Sequence, residues 1–277
     1  MAESTESHDG IAACCSTLYG NPLAELLVGE SFHPGGLTGT RELLQASALG
    51  PGARLLDVGC GLGASARVAA TEFGLQVDAV DAHQAIVARA SARGGGARIR
   101  WSTGTLPTLP FEDATFDAVL AECVLSTVDR PAALAEIARL MRPGGTLLMS
   151  DVEAMGVPIS ILGHRIVGAA LCITDAWRPG EMDARLASVG FRISRRWDRS
   201  RAIVELADRI DARLAVVRVA ARDLGLDLES LIGPSLADAD PAFGVAAADE
   251  AINAVRDAVR DGTLRYTAVM ATAGSAE

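Results

Sequence analysis

The sequence predicts an α/β fold, a parallel sheet covered by helices on both faces. Three observations carry this. Apolar stretches of strand length alternate with amphipathic stretches of helix length from residue 54 to 153. Short connections join them, which suits parallel strands returning over a helix. Finally, 277 residues with 49% hydrophobic content suffice for a substantial core.

Element by element, residues 1–12 read as a loosely attached polar tail, and 13–50 are helical in part. The turn-rich SFHPGGLTG at 31–39 interrupts them, and RELLQASALG at 41–50 is a helix stopped by Gly. RLLDVG (54–59) is a strand and ASARVAATEFG (64–74) a helix. QVDAVDA (76–82) is a strand and HQAIVARASAR (83–93) a helix. RIRWSTG (98–104) and FDAVLAEC (116–123) are the third and fourth strands. RPAALAEIARLMRPGG (130–145) reads as a helix with a Gly stop, followed by the strand TLLMSDVE (146–153). Beyond 156 the pattern loosens. RPGEMDARLASVG ends a helical region before the strand FRISRRWD (191–198), and RYTAVMATA (265–273) is the last strand. Between them, 199–262 reads as two or three amphipathic helices with a loop at 234–244. Ile203, Leu206, Ile210, Leu214 and Val217 fall on one helical face. This insertion packs on the sheet, forms a homodimer surface, or covers a substrate. The organisation expected is a closing segment at 1–50, a core at 51–198, and the insertion with the last strand at 199–277.

Composition narrows the partners. The chain contains no Lys, its 25 basic residues are all Arg, and its net charge is −10. An acidic chain repels phosphate backbones, so nucleic acid is not the expected partner. No apolar run reaches the length of a membrane span, and the polar N-terminus is unlike a signal peptide. A cytoplasmic location is therefore expected. The five cysteines, Cys14, Cys15, Cys60, Cys123 and Cys172, are then free thiols.

The chemistry starts at RLLDVGCGLGASA (54–66), an apolar run, an acid, and glycines at 59, 61 and 63. Gly59, Gly61 and Ala64 satisfy a loose nucleotide-loop pattern, which is weak alone. Asp57, two residues before the first glycine, would repel a pyrophosphate and suits a ligand carrying an ammonium group. Asp81 ends the next strand, where an acid accepts hydrogen bonds from ribose hydroxyls. S-adenosylmethionine (SAM), with its ammonium and sulfonium and no phosphate, fits both.

LLDVGCGLGASA, VDAVDAH, LPFEDATFDAVL and RLMRPGGTLLMSD, in this order over about 50–153, resemble the class I SAM-dependent methyltransferases. The resemblance implies a Rossmann-like seven-stranded sheet with the last strand antiparallel. It also implies SAM at the carboxyl ends of the first, second and fourth strands. Asp57, Gly59, Cys60, Gly61 and Gly63 then line the methionine and ribose, and Asp81 holds the ribose. Ala82 and His83 lie beside the adenine. The family often has an acid after the glycine of the third-strand loop. Here Thr105 stands there, so Thr105 and Leu106 are the adenine contacts. Glu122 contacts the cofactor or fixes its loop. SFHPGGLTGT resembles the cofactor-closing segment of small-molecule members.

Acceptor chemistry is read at the end of the fourth strand. AECVLSTV (121–128) lacks the Pro-Pro-aromatic loop of enzymes that methylate nucleic acid or amides. It places Cys123 at the strand end. With Cys172 in the following region and Cys14 and Cys15 on the closing segment, the arrangement resembles the arsenite methyltransferases. That resemblance implies trivalent arsenic as substrate, held by Cys123, Cys172 and Cys14 or Cys15, since soft thiolates suit soft acceptors. Core packing of the same cysteines stays open, with a thiol or other small metabolite as acceptor. So does a SAM-binding sensor or partner protein without catalysis. No resident metal is expected. His33 and His164 read as surface or packing residues, with proton transfer as the alternative role.

Overall fold

The structure is a computed structural model, and it describes residues 22–156, 173, 175–226 and 245–274. Cys14, Cys15, Cys172, His164, the tail at 1–12 and the loop at 234–244 lie outside the described residues.

A seven-stranded sheet carries the molecule. Its strands are β1 (Arg54–Val58), β2 (Gln76–Asp81), β3 (Ile99–Thr103), β4 (Phe116–Glu122), β5 (Met141–Ala154), β6 (Phe191–Asp198) and β7 (Leu264–Ala273). The order is β3-β2-β1-β4-β5-β7-β6. The pairs from β3 to β5 are parallel, and β7 runs antiparallel to both β5 and β6. The antiparallel last strand therefore agrees with the expectation.

The helices are α1 (Pro22–Val28), α2 (Gly36–Ser47), α3 (Ala64–Glu72), α4 (Gln84–Ala92), α5 (Arg130–Leu140), α6 (Glu181–Ser188), α7 (Arg201–Asp223) and α8 (Val245–Arg260). Strand alternation sorts side chains between two layers, because successive residues face opposite sides of a sheet. Leu56, Val119, Leu147 and Met149 pack with Leu134 and Ile137 of α5. Their neighbours Leu55, Leu120 and Leu148 pack on the other face with Leu43 of α2 and Ala66 and Ala69 of α3. Both faces are covered, which is why these strands read as continuous apolar runs.

Two boundaries differ from the sequence reading. The helix assigned to 130–145 stops at Leu140, and β5 begins at Met141. Pro143 disfavours helical backbone at Arg142, so the chain leaves the helix before the glycines rather than at them. A register shift between Phe116 and Ala118 accommodates the extra length. α2 begins at Gly36, inside the stretch read as a turn, because Gly35 and Gly36 take positive φ and start it early.

α7 and α8 pack over one end of the sheet. Ile203, Leu206, Leu214, Ile252 and Val255 form an apolar cluster with Tyr266 of β7 and Val28 of α1. Ile210 joins its edge, so the predicted face of the insertion is the packed one. The segment after α1 is thereby held from two sides. Arg213 of α7 donates to the carbonyl oxygens of Leu26 and Leu27 at 3.1 and 2.9 Å. Glu25 pairs with Arg89 and Arg93, on and just beyond α4, at 2.7 and 2.6 Å. Residues 30–33 follow these anchors and line the cleft at the carboxyl ends of the strands. Among the described residues, no helix is long and apolar enough to cross a membrane.

Candidate active site

Strand order reverses between β1 and β4, and a crevice opens beyond their carboxyl ends, as topology requires of such sheets. One cleft there is lined by Asp57, Gly59, Cys60, Gly61, Asp81, Ala82, His83, Thr105, Leu106, Glu122 and Cys123. The structure thus brings together the cofactor residues named from the sequence, Gly63 apart. Gly63 caps α3 with φ +76°, and a Cβ on it would lie 2.2 Å from the Trp101 ring. Its glycine identity serves the packing of β3 against the loop. Gly59 is similar in part: with φ +68°, a Cβ would lie 2.6 Å from Val124, so the loop after β4 closes on it.

Asp81 organises the loop before any ligand is considered. Its Oδ2 accepts the Gly61 N–H at 3.0 Å and its Oδ1 the His83 N–H at 3.0 Å. The His83 ring lies 3.3 Å from the same Oδ1. The glycine loop and the turn after β2 are therefore pinned to one carboxylate.

Asp57 is different. It is 3% exposed and its Oδ2 has no hydrogen-bond partner. Burial, then the charges of Glu122 and Asp81, push its carboxyl well above the usual range, against one hydrogen bond from the Ala66 backbone in the first turn of α3. Burial likewise pushes the Cys60 thiol up, with Asp57 and Asp81 adding to it. Cys60 is a neutral thiol in the loop wall, not a nucleophile.

Glu122 ends β4 and gathers three elements. Thr40 of α2 donates to it at 3.0 Å and Ser65 of α3 at 2.7 Å. His33, on the segment between α1 and α2, places Nε2 3.3 Å from its Oε2, off the line of an ideal hydrogen bond. Thr40 and Ser65 were not singled out from the sequence as site residues, and His33 was weighed there only for proton transfer. No local pattern marks a residue that matters by meeting a distant strand end.

Cys123 follows β4 with φ +55°, a left-handed conformation uncommon outside glycine. Its thiol donates to the Tyr266 hydroxyl at 3.9 Å, and Tyr266 donates to Ser150 Oγ at 2.7 Å. Burial holds the Tyr266 hydroxyl well above its usual range, so it stays protonated. Cys123 therefore lies at the join between the cofactor cleft and the cluster under α7 and α8. Among the described residues, no group of three or more His, Cys, Asp or Glu side chains could hold a metal ion.

The donor set fits SAM. Four carboxylates, one with an unpartnered buried oxygen, face a crevice where the described lining holds no arginine or lysine to receive a phosphate. An ammonium and a sulfonium are the complementary charges. Comparison with known proteins agrees. Residues 56–149 match the family model for a methyltransferase domain. The chain is 35% identical to an O-methyltransferase of Aspergillus sclerotiorum, over 41% of this chain and 45% of that one. It is 34% identical to the methyltransferase GfsG of Streptomyces halstedii, over 49% and 48%. It is 30% identical to phosphoethanolamine N-methyltransferase 1 of Arabidopsis thaliana, over 46% and 27%. The chain thus spans half or less of the length of these relatives. Among solved structures, the [4+2]-cyclase SpnF superposes with a TM-score of 0.68 at 23% identity, covering 94% of each chain. A phosphoethanolamine N-methyltransferase from Haemonchus contortus, in complex with S-adenosylhomocysteine, gives 0.65 at 21%, covering 98% of this chain and 58% of that one. Fold, cleft chemistry and the family match agree: residues 56–149 match a methyltransferase domain, and the seven-stranded sheet around them is the fold of the solved methyltransferases.

Proposed function

We propose that this chain transfers the methyl group of SAM to a small acceptor that enters beside Cys123. The observation that carries the reading is the buried, unpartnered Asp57 oxygen among the carboxylates of the cleft, since it calls for a cationic cofactor rather than a phosphorylated one. When bound, SAM supplies a methyl group on a positively charged sulfur and leaves as the neutral thioether. The chain's own part is alignment and exclusion of water. Asp81 fixes the glycine loop, Glu122 fixes the end of β4, and Phe32 lies over the loop with its ring 3.8 Å from where a Gly61 Cβ would be. On the acceptor side the lining is Cys123, Val124, Thr127 and Val128, small and largely apolar.

Two acceptor classes follow. A small organic acceptor is favoured by the engagement of Cys123 with Tyr266, which gives the thiol a packing and hydrogen-bonding role. Trivalent arsenic is supported by the same thiol lining the cleft. It calls also on Cys172 and Cys14 or Cys15, which lie outside the described residues. The experiment is transfer from methyl-labelled SAM to a panel of phenols, thiols, arsenite, selenite and tellurite, with the parent and Cys123→Ser. Organic turnover that survives the substitution selects the first class. Arsenite turnover lost in Cys123→Ser, with SAM affinity intact, selects the second, since a hydroxyl is a poor ligand for a soft metalloid. The fold also serves a protein named as a cyclase, so SAM binding without transfer to any acceptor would refute methyl transfer itself.

A further inference from the structure

We propose that His33 is a positioning residue of the cofactor site, acting through Glu122. This rests on the reading of the cleft as a SAM site. His33 is 8% exposed and lies on the segment that lines the cleft. Its Nδ1 is 3.1 Å from the Pro34 carbonyl oxygen. A carbonyl only accepts, so Nδ1 carries a hydrogen. Nε2 then faces Glu122 Oε2 at 3.3 Å, with both side chains buried. The contact is a close approach of two buried polar groups, and it ties the 30–33 segment to the end of β4.

What the contact holds is specific. Thr40 and Ser65 donate to the same carboxylate, so His33 closes a ring of four side chains from the 30–33 segment, α2, α3 and β4. Phe32 is the next residue, seated over Gly61. Loss of the His33 contact frees the segment that carries Phe32 and opens one side of the ring around Glu122. Cofactor affinity falls as a result, without loss of the fold, because α1 remains tied to α4 and α7 by Glu25 and Arg213.

The test is titration calorimetry of SAM into the full chain and into His33→Phe, His33→Gln, Glu122→Ala and the His33→Phe/Glu122→Ala double variant, with melting curves to confirm folding. His33→Phe is expected to weaken binding about tenfold, the scale of a lost polar contact with a buried carboxylate. His33→Gln, whose amide N–H can reach the same carboxylate, is expected to stay within about threefold of the parent. The double variant is expected to bind no worse than the weaker single one. Losses that multiply in the double variant would overturn the proposal and assign His33 a contact of its own with the cofactor. Equal losses in the Gln and Phe variants would also overturn it, and that comparison decides alone if Glu122→Ala does not fold. A parent chain that fails to bind SAM would refute the cofactor reading instead.

Discussion

Asp57 shows how one atom sets the behaviour of the cleft. Its unpartnered oxygen is out of water, with Glu122 and Asp81 as neighbouring negative charges. Each of these disfavours the ionised form, so the carboxyl holds its proton above the usual range. An arriving ammonium reverses the balance and favours the carboxylate. Cofactor binding should then release a proton, and affinity should rise with pH while Asp57 is protonated in the free protein. Calorimetry of SAM binding in two buffers of different ionisation enthalpy measures the proton count. Asp57→Asn is expected to abolish the release and to weaken binding. A parent that binds SAM with no buffer dependence would contradict this account.

At the scale of elements, α5 illustrates how a local signal sets a boundary. Asp129 precedes it and accepts the Ala132 N–H at 2.9 Å, with Pro131 in the first turn where no amide hydrogen is needed. The helix buries Leu134, Ile137 and Leu140 against β4 and β5, and the connection before it carries Val124, Thr127 and Val128 into the cleft. Asp129→Ala removes the cap and is expected to cost about 1 kcal/mol of stability. Chemical denaturation measures it. A smaller effect on SAM affinity is expected, because the cleft-facing residues lie upstream of the cap. A loss of affinity with unchanged stability would argue against this order.

The whole molecule is joined where β5 meets the β4–α5 connection and the segment before α6. Asp151 sits there, buried, accepting the backbone N–H of Ser126 at 3.1 Å and of Val152 at 2.9 Å. Arg130 stacks on Trp177 beside it, 4.6 Å from the ring centre, and pairs with Asp175 at 3.0 Å. Burial outweighs the hydrogen bonds and raises the Asp151 carboxyl from 3.8 to about 6. The folded state therefore binds a proton that the unfolded chain gives up near pH 4. The sign follows: this stability is complete below about pH 4 and is lost as pH rises through about 6, amounting to about 3 kcal/mol for a shift from 3.8 to about 6. Asp151→Asn, which stays neutral, should remove that slope from the pH dependence of unfolding. A slope unchanged in the variant would place the titration elsewhere.

The sequence by itself determined the layered architecture and the position of the cofactor loop. Alternation and helical periodicity record which face of each element is buried, and burial is a property of local sequence. Asp57, Asp81 and the residue after β4 were legible because strand ends are legible, and strand ends converge at the switch point of the sheet. Tertiary structure alone decided the rest. Gly63 gives way to Trp101, and Gly59 to Val124, because the space each would need is taken by a residue from another strand or loop. The stop of α5 at Leu140 gives Met141 to β5, where it pairs with Phe116. His33 reads as a packing or surface residue, or a candidate for proton transfer, until the chain after α1 lines the cleft. Only then does it meet Glu122, a partner set by chain crossing rather than by spacing. A contact between residues remote in sequence leaves no periodic trace in either neighbourhood, and so only the folded chain displays it.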